Sequence, residues 1–461
     1  MKVLLIQAYL GRNEADGAIF PLGLCYIATA LKKHDVEMLD PNTSQKPYEE
    51  ITGKINNFKP QIVCISIRNV DTTQRRDIFY YFKTISPTVQ LIKGINQEIK
   101  VILGGAGFSM FAEKIMERIP EADYGIYLEG EESLPELLDN LNNPENIKGI
   151  YFRKNGSLKF SGVRGMPDFV NLPIPRRDLL DIKKYLHPKN NNIGIQTKRG
   201  CALKCAYCNY QFLNGAVYRL RSPGAIVDEI EYLINNFNIR KFTFVDSTFN
   251  VPQRHAEGIC NEIIKRGLDI QWSAWLDIKH FNEELAHLVQ KAGCKNIGFS
   301  PDAVTDKALS ALQKGITEED IKKSLNIIKK VKGLKAGYNF FIASPGQDLW
   351  GFLKTLVLFF KIPFILMGKG GCRLGWIRIE PYTKIHEIAI EEGLINKNTE
   401  LLPEKEQQLS MLFYTNPSSK YLDVIAWVIL GLVEKLLLPA AKSLLTSVRI
   451  LLKFRRNENI K

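Results

Sequence analysis

Three cysteines packed into one short loop constrain this chain more than any other feature. The segment reads Lys198-Arg199-Gly200-Cys201-Ala202-Leu203-Lys204-Cys205-Ala206-Tyr207-Cys208-Asn209-Tyr210. Its spacing lets one tight loop aim three thiolates at one point. Thiolates are the usual ligands of iron–sulfur clusters, whereas zinc usually takes a closed set of four ligands. No nearby His or fourth Cys completes such a set. Three ligands on a four-iron cube leave one iron open for a substrate or cofactor. Lys198, Arg199 and Lys204 should favour the thiolate state. They also argue against a chance triplet of core cysteines, because no apolar face emerges. Cys25, Cys64, Cys260, Cys294 and Cys372 stand singly among apolar neighbours and read as core residues.

A chain of 461 residues predicts two or three domains. Residues 1–145 alternate short apolar runs with helical patterns. Segments 3–6, 36–39, 62–67, 101–103 and 124–128 read as strands, and 21–33 and 134–141 as helices. Such alternation predicts an α/β, doubly wound, Rossmann-like sheet whose ligands bind beyond the carboxyl ends of the strands. Gly104, Gly105, Gly107 and Gly130 follow two of these strands, where glycine lets a bulky ligand approach the backbone. Residues 146–190 are proline-rich and read as a linker. Residues 191–385 resume the alternation, with strands expected at 193–196, 241–245, 270–274, 296–299, 337–342 and 376–379. Six β/α units predict a partial barrel with its chemistry at the carboxyl ends. Residues 386–461 read as a helical C-terminal region with an apolar, then basic, tail.

The segment Cys-Ala-Leu-Lys-Cys-Ala-Tyr-Cys resembles the C-x3-C-aromatic-C motif of the radical S-adenosylmethionine (SAM) superfamily. The resemblance continues through most of 191–390. Arg219-Leu220-Arg221-Ser222-Pro223, Val245-Asp246-Ser247-Thr248-Phe249-Asn250 and Ser344-Pro345-Gly346-Gln347 are similar to segments of cobalamin-associated members. Arg378-Ile379-Glu380-Pro381-Tyr382-Thr383 is similar to their last strand end, with Tyr where Gly is usual. The usual Gly-x-Glu reads Gly298-Phe299-Ser300, so Ser300 stands where Glu is expected. An α/β domain directly ahead resembles the cobalamin-binding domain of this family. Pro21-Leu22-Gly23-Leu24, Ser66-Ile67-Arg68-Asn69, Leu103-Gly104-Gly105-Ala106-Gly107 and Leu128-Glu129-Gly130-Glu131 agree with it. The D-x-H-x-x-G cobalamin motif is absent, so no cobalt-ligating histidine is carried over.

The resemblance implies three cofactors: a [4Fe–4S] cluster on Cys201, Cys205 and Cys208, SAM, and cobalamin. It implies SAM contacts at Tyr207, Asp246, Ser247, Ser300 and Arg378. It implies cobalamin contacts at Ser66, Arg68, Gly104, Gly105, Gly107, Glu129 and Gly130, with Asn69 and Asp71 near the corrin. It further implies that an adenosyl radical removes a hydrogen atom from an unactivated carbon, which then takes a methyl group from methylcobalamin. An external electron donor such as flavodoxin or ferredoxin would be needed.

Two other functional classes compete with this reading. Methylthiotransferases modify RNA, and the net charge of +13 would suit them. Their N-terminal domain carries its own three-cysteine cluster, however, and here it has only Cys25 and Cys64. A non-catalytic cobalamin or SAM sensor is opposed by the intact cysteine triplet. Much of the positive charge lies after Pro439, which points to a tail rather than a nucleic-acid domain. The apolar, then basic, end reads either as a helix packed on the barrel with a solvated tail, or as an interfacial helix, which would suggest a lipid-like substrate and a peripheral contact at the inner face of a membrane. The first apolar run is too short for a signal-peptide core, so a cytoplasmic location is expected.

Overall fold

The computed structural model describes residues 1–12, 18–186 and 193–432. The first sheet holds β1 (Lys2–Gln7), β2 (Asp35–Leu39), β3 (Ile62–Ser66), β4 (Lys100–Gly104), β5 (Tyr124–Ile126), β6 (Ile150–Lys154) and β7 (Ser157–Phe160). Their order is β2-β1-β3-β4-β5-β6-β7. The first five pair in parallel, and β6 and β7 add an antiparallel edge. Val3 to Ile6 and Val101 to Leu103 are buried, which accounts for their unbroken apolar runs. The strand order reverses between β1 and β3, and in doubly wound sheets the ligand crevice lies at that point.

Part of the expected linker belongs to this sheet. Residues 150–160 form a hairpin that extends it past position 145. β6 alternates buried and half-buried positions and β7 is mostly solvated, as suits an antiparallel edge, and neither carries the continuous apolar run of a central strand.

The second sheet begins at β8 (Gly194–Ile195), and β9 (Lys198–Arg199) pairs beside it with β10 (Arg219–Leu220). There follow β11 (Lys241–Phe244), β12 (Gln271–Trp275), β13 (Cys294–Asp302), β14 (Lys335–Phe341) and β15 (Gly370–Gly375). The six main strands run parallel in the order β15-β14-β13-β12-β11-β8. This is a partial barrel: an open sheet with no pairing of β15 to β8 among the described residues.

Local signals set the crossover helices. Helix Pro223–Phe237 starts on a Ser222 side chain that accepts from the Ala225 N–H, has Pro at its first turn, and ends on left-handed Asn238. Helix Glu318–Lys330 has a Thr317/Asp320 capping box, acids in its first turn and lysines in its last.

The sixth strand lies earlier than the apolar run at 376–379 suggests. Residues 370–375 are Gly-rich and carry no strong strand pattern. A Cβ at Gly370 would stand 1.8 Å from the Ala336 carbonyl oxygen, so only Gly lets this edge approach β14. Residues 377–379 bond instead to the C-terminal region: the Tyr414 N–H donates to the Ile377 carbonyl, and the Ile379 N–H to that of Leu412.

One fully buried ion cluster ties the segment before β8 to the second domain. Glu229 accepts from Arg177 at 2.5 Å and from Arg221 at 2.6 Å. Removing one partner of such a group leaves uncompensated buried charge. Glu229→Ala is therefore expected to lower stability by about 3–5 kcal/mol, read by urea denaturation. An unchanged midpoint would show the two arginines to be satisfied without it.

Candidate cluster and cofactor site

The cysteine loop is held from outside itself. The Cys201 N–H donates to the Gly215 carbonyl at 3.0 Å, and the Ala206 N–H to that of Leu312 at 2.9 Å. The Ile385 N–H donates to the Ala206 carbonyl at 2.7 Å. Gln211 Nε2 donates to the carbonyls of both Cys201 and Leu203. Gly200 has φ +87°, and a Cβ there would lie 2.0 Å from the Val217 carbonyl oxygen. The loop can turn into Cys201 only through glycine.

Cys201 is buried, Cys205 half-buried and Cys208 exposed. Among the described residues, no three His, Cys, Asp or Glu side chains already stand close enough to hold a metal ion. The donor chemistry nevertheless fits a four-iron cluster. Three thiols share one backbone-anchored loop, and no protein side chain supplies a fourth soft ligand there. The Tyr218 hydroxyl also reaches Cys201 Sγ at 3.9 Å.

Of the expected cations, Lys198 interacts with Cys201 while Arg199 is engaged elsewhere, and an unexpected one, Lys314, acts on Cys205. Arg199 is engaged by Glu129 at 2.7 Å and Glu131 at 2.6 Å. The Lys198 ammonium donates to the Phe249 carbonyl, and burial lowers its pKa to about 8. Lys314 stands nearest Cys205: burial raises that thiol, and the Lys314 ammonium draws it back. Lys314 also pairs with Asp302 at 2.7 Å, and the Tyr207 hydroxyl donates to the same carboxylate. The Tyr207 ring meets Phe341 edge-on at 5.0 Å.

Other expected SAM contacts divide between the site and the frame. Asp246, buried, accepts from the Thr197 N–H and hydroxyl and from the Lys198 N–H, so it braces the strand leading into the loop. The Ser247 hydroxyl donates to the Gly200 carbonyl at 3.4 Å. Buried Phe299, Tyr338 and Phe340 face the helices. Alternation therefore puts Ser300 and Asn339 on the opposite, inner face. Arg373 joins them there, paired in register with Asn339. Arg378 does not offer its guanidinium to a cofactor. It binds Asp71 at 3.2 Å and the carbonyls of Ile379 and Leu401.

The N-terminal residues behave likewise. Glu129 was expected at a cofactor, but its carboxylate is held by Arg199 and Arg219. Gly105 has φ +100°, and its Cβ would lie 2.6 Å from the Ile67 carbonyl oxygen. At Gly107 the close neighbours are the Arg68 and Asn69 backbones. The protein's own loop after β3 approaches these glycines closely. Gly130 packs on Ile126 and Ile27. Ser66 and Gly104 are paired across the ends of β3 and β4, and Arg68 and Ala106 are exposed just beyond. These groups lie at the carboxyl ends of β3 and β4, beside the switch point between β1 and β3. Asn209, next to Cys208, touches the Met110 sulfur in the helix after Gly105. The two carboxyl-end sites therefore adjoin.

A B12 binding domain matches residues 10–138, and the radical SAM superfamily matches residues 195–359. This is a radical SAM protein with a B12 binding domain. Its two domains imply cobalamin, SAM and a [4Fe–4S] cluster as cofactors. This B12-domain radical SAM protein is 29% identical over 334 residues to an uncharacterized methyltransferase of Pyrococcus horikoshii, covering 71% of this chain and 70% of that one. It is 25% identical over 346 residues to the anaerobic magnesium-protoporphyrin IX monomethyl ester cyclase of Rubrivivax gelatinosus, covering 71% of this chain but only 60% of the cyclase. The solved structure of the radical SAM methyltransferase TsrM from Kitasatospora setae superposes with TM-score 0.76 at 20% identity, covering 92% of this chain and 88% of that one. That likeness is one of fold.

Sequence reasoning missed several groups of the radical SAM protein. Lys314 and Asp302 lie more than ninety positions from Tyr207 and join it only through the fold. Trp275 lies against Gly298, where a Cβ would come within 2.6 Å of its ring. Glu380 accepts from Asn209 Nδ2 at 2.9 Å, and burial raises its carboxyl to about 7.

Two outcomes follow for this protein. Gly200→Ala should at least halve the iron bound after anaerobic reconstitution, read by iron analysis, while Gly267→Ala, with open space at its Cβ, should not. Retained iron in the first variant would separate the turn from cluster assembly. The second concerns pH. A carboxyl raised in the folded state binds its proton more tightly there than in the unfolded chain, so its contribution falls as pH rises from about 4.5 towards 7. Glu380→Gln removes that slope. The variant should gain on the order of 1–3 kcal/mol over wild type at pH 8 relative to pH 5, read by thermal denaturation. Parallel pH curves would place the carboxyl in water.

Proposed function

We propose that this protein methylates an unactivated carbon in a cobalamin-dependent radical SAM reaction. One observation carries the reading: the cysteine loop and the carboxyl end of the first sheet adjoin, through Asn209 on Met110 and Arg199 on Glu129. When bound, the cluster and SAM supply a radical, and cobalamin supplies the methyl group.

The chain's own residues hold and shield these groups. Cys201, Cys205 and Cys208 would bind the cluster. Tyr207, fixed by Asp302, and Ser247 and Ser300 would border SAM. Ser66, Arg68 and Gly104 would border cobalamin at the switch point. The inner face of β11–β15 would receive the substrate, with Trp275 as an apolar wall and Asn339 and Arg373 as polar contacts. The similarity to a Pyrococcus methyltransferase supports methyl transfer. The similarity to a ring-forming cyclase favours a second outcome, in which the substrate radical closes a ring.

The finer reading is a lipid-like substrate met at the inner face of a membrane by a cytoplasmic protein. Its support in the sequence is the apolar and basic C-terminal stretch, of which residues 433–461 lie outside the described residues. A one-electron donor such as flavodoxin or ferredoxin would reduce the cluster.

The test is anaerobic reconstitution followed by SAM carrying a labelled methyl group, a reductant and fractionated cell extract. Wild type should release 5′-deoxyadenosine and pass label to a product in the lipid fraction. Changing all three cysteines to Ala should lower both signals at least a hundredfold. 5′-Deoxyadenosine without label transfer would replace methylation by ring closure or rearrangement. Label only in an aqueous product would remove the lipid reading.

A further inference from the structure

Two helices of this protein have an apolar stripe on the wrong side. Helix Leu349–Ile365 buries Phe352 and Ile362. Yet Trp350, Leu353, Val357, Phe360 and Phe364 are exposed, and Met367 continues the row just after the helix. Their spacing of three and four residues puts them on one face. Trp350 is 65% exposed and Phe364 82% exposed. Helix Lys420–Leu432 repeats the arrangement. Leu422, Ala426 and Leu430 are buried, while Tyr421, Val424, Val428 and Leu432 face solvent. Val424 is 64% exposed and Val428 54%.

Phe352 of the first helix and Leu422, Ala426 and Leu430 of the second enter one apolar cluster with Trp376 and Phe413, while Ile362 enters the main core. The outer stripes therefore belong to one side of the second domain. Neither helix needs its outer stripe for its own packing. Soluble monomers rarely expose contiguous apolar patches of this size, and a patch rimmed by polar groups marks an interaction surface.

Charge identifies the occupant. Lys361 and Lys420 are exposed on these two helices. Residues 433–461, directly after the second helix, hold seven basic side chains against two acidic ones. Apolar side chains that include Trp and Phe, flanked by Lys and Arg, suit an anionic headgroup layer. No helix among the described residues is long and apolar enough to cross a membrane. A surface that lies in the interface remains.

We propose that helices Leu349–Ile365 and Lys420–Leu432 form one membrane-docking surface, which seats this protein on an anionic lipid bilayer through Trp350, Val357, Phe364, Val424 and Val428. The inference does not depend on which carbon is modified, and it holds whether or not the substrate is a lipid. The first helix also precedes β15, which carries Arg373 on the inner face of the sheet.

Flotation of the cofactor-loaded full chain tests this. Vesicles of phosphatidylcholine with one-third phosphatidylglycerol are compared with phosphatidylcholine alone. Wild type should float with the anionic vesicles, and less so without phosphatidylglycerol. The variant with Trp350→Ser, Val357→Ser and Phe364→Ser should lose at least tenfold in partitioning. All three side chains are exposed or outward, so bound iron, bound cobalamin and the melting midpoint should stay at wild-type values. A second variant, Val424→Ser with Val428→Ser, should lose binding in the same direction. Flotation of both variants at the wild-type level would overturn the proposal and leave the basic tail as the only anchor. It would equally be overturned if wild type is a dimer by light scattering and the triple variant a monomer, because the surface would then pair two copies.

Discussion

Arg199 lies two residues before the first cysteine and is clamped between two carboxylates of the other domain. Glu129 and Glu131 take its guanidinium, and Glu129 also takes Arg219 across the β9–β10 pair. All four side chains are largely withdrawn from water. Charges so placed hold their positions strongly, because removal of one partner strands another in a poorly solvated site. The cluster thus fixes where the cysteine loop begins relative to the first sheet. Arg378 with Asp71, and Arg75 with Asp423, repeat this use of arginine at the domain boundary.

From that anchor the loop is shaped by partners far away in sequence. Gly215, Leu312 and Ile385 each bond its backbone, and Asp246 braces the strand before it. Gly215 precedes β10, Asp246 follows β11, Leu312 ends the helix after β13, and Ile385 lies beyond β15. The position of the thiols is therefore a property of the whole second domain. The same economy explains the glycines. Gly200, Gly105 and Gly370 stand where backbone meets backbone, and any Cβ would collide with a carbonyl.

The second domain faces two environments. Its inner face carries Ser300, Asn339 and Arg373 beside Trp275, a mixture able to orient a substrate while excluding bulk water. Its outer face buries the helices, except where helices Leu349–Ile365 and Lys420–Leu432 turn a second apolar stripe outward. That stripe explains why the first of these helices reads as apolar all round, although it is not wholly buried.

Residue spacing was enough to mark a three-thiolate cluster loop and the class of fold, while the SAM and cobalamin chemistry was implied by the resemblance of the motifs to a known family. The Cys201–Cys208 motif is local, since one loop must aim all three thiols. Parallel strands buried on both faces announce themselves as apolar runs, so β1, β3 and β4 were legible, and β11, β12 and β14 were legible through alternation of buried and open positions. Strand β15 was not, because its glycines serve a close approach to β14 rather than an apolar pattern. Only the tertiary structure decided which charged residues face the cofactor crevices and which tie the domains. Glu129, Arg378 and Arg199 look like site residues in sequence, yet each is engaged by a partner 68 to 307 positions away. Lys314 and Asp302 look ordinary, yet they hold Tyr207 behind the cysteine loop. An ion pair depends on distances between strands that the chain reaches only when folded, whereas a loop motif carries its geometry in its own spacing.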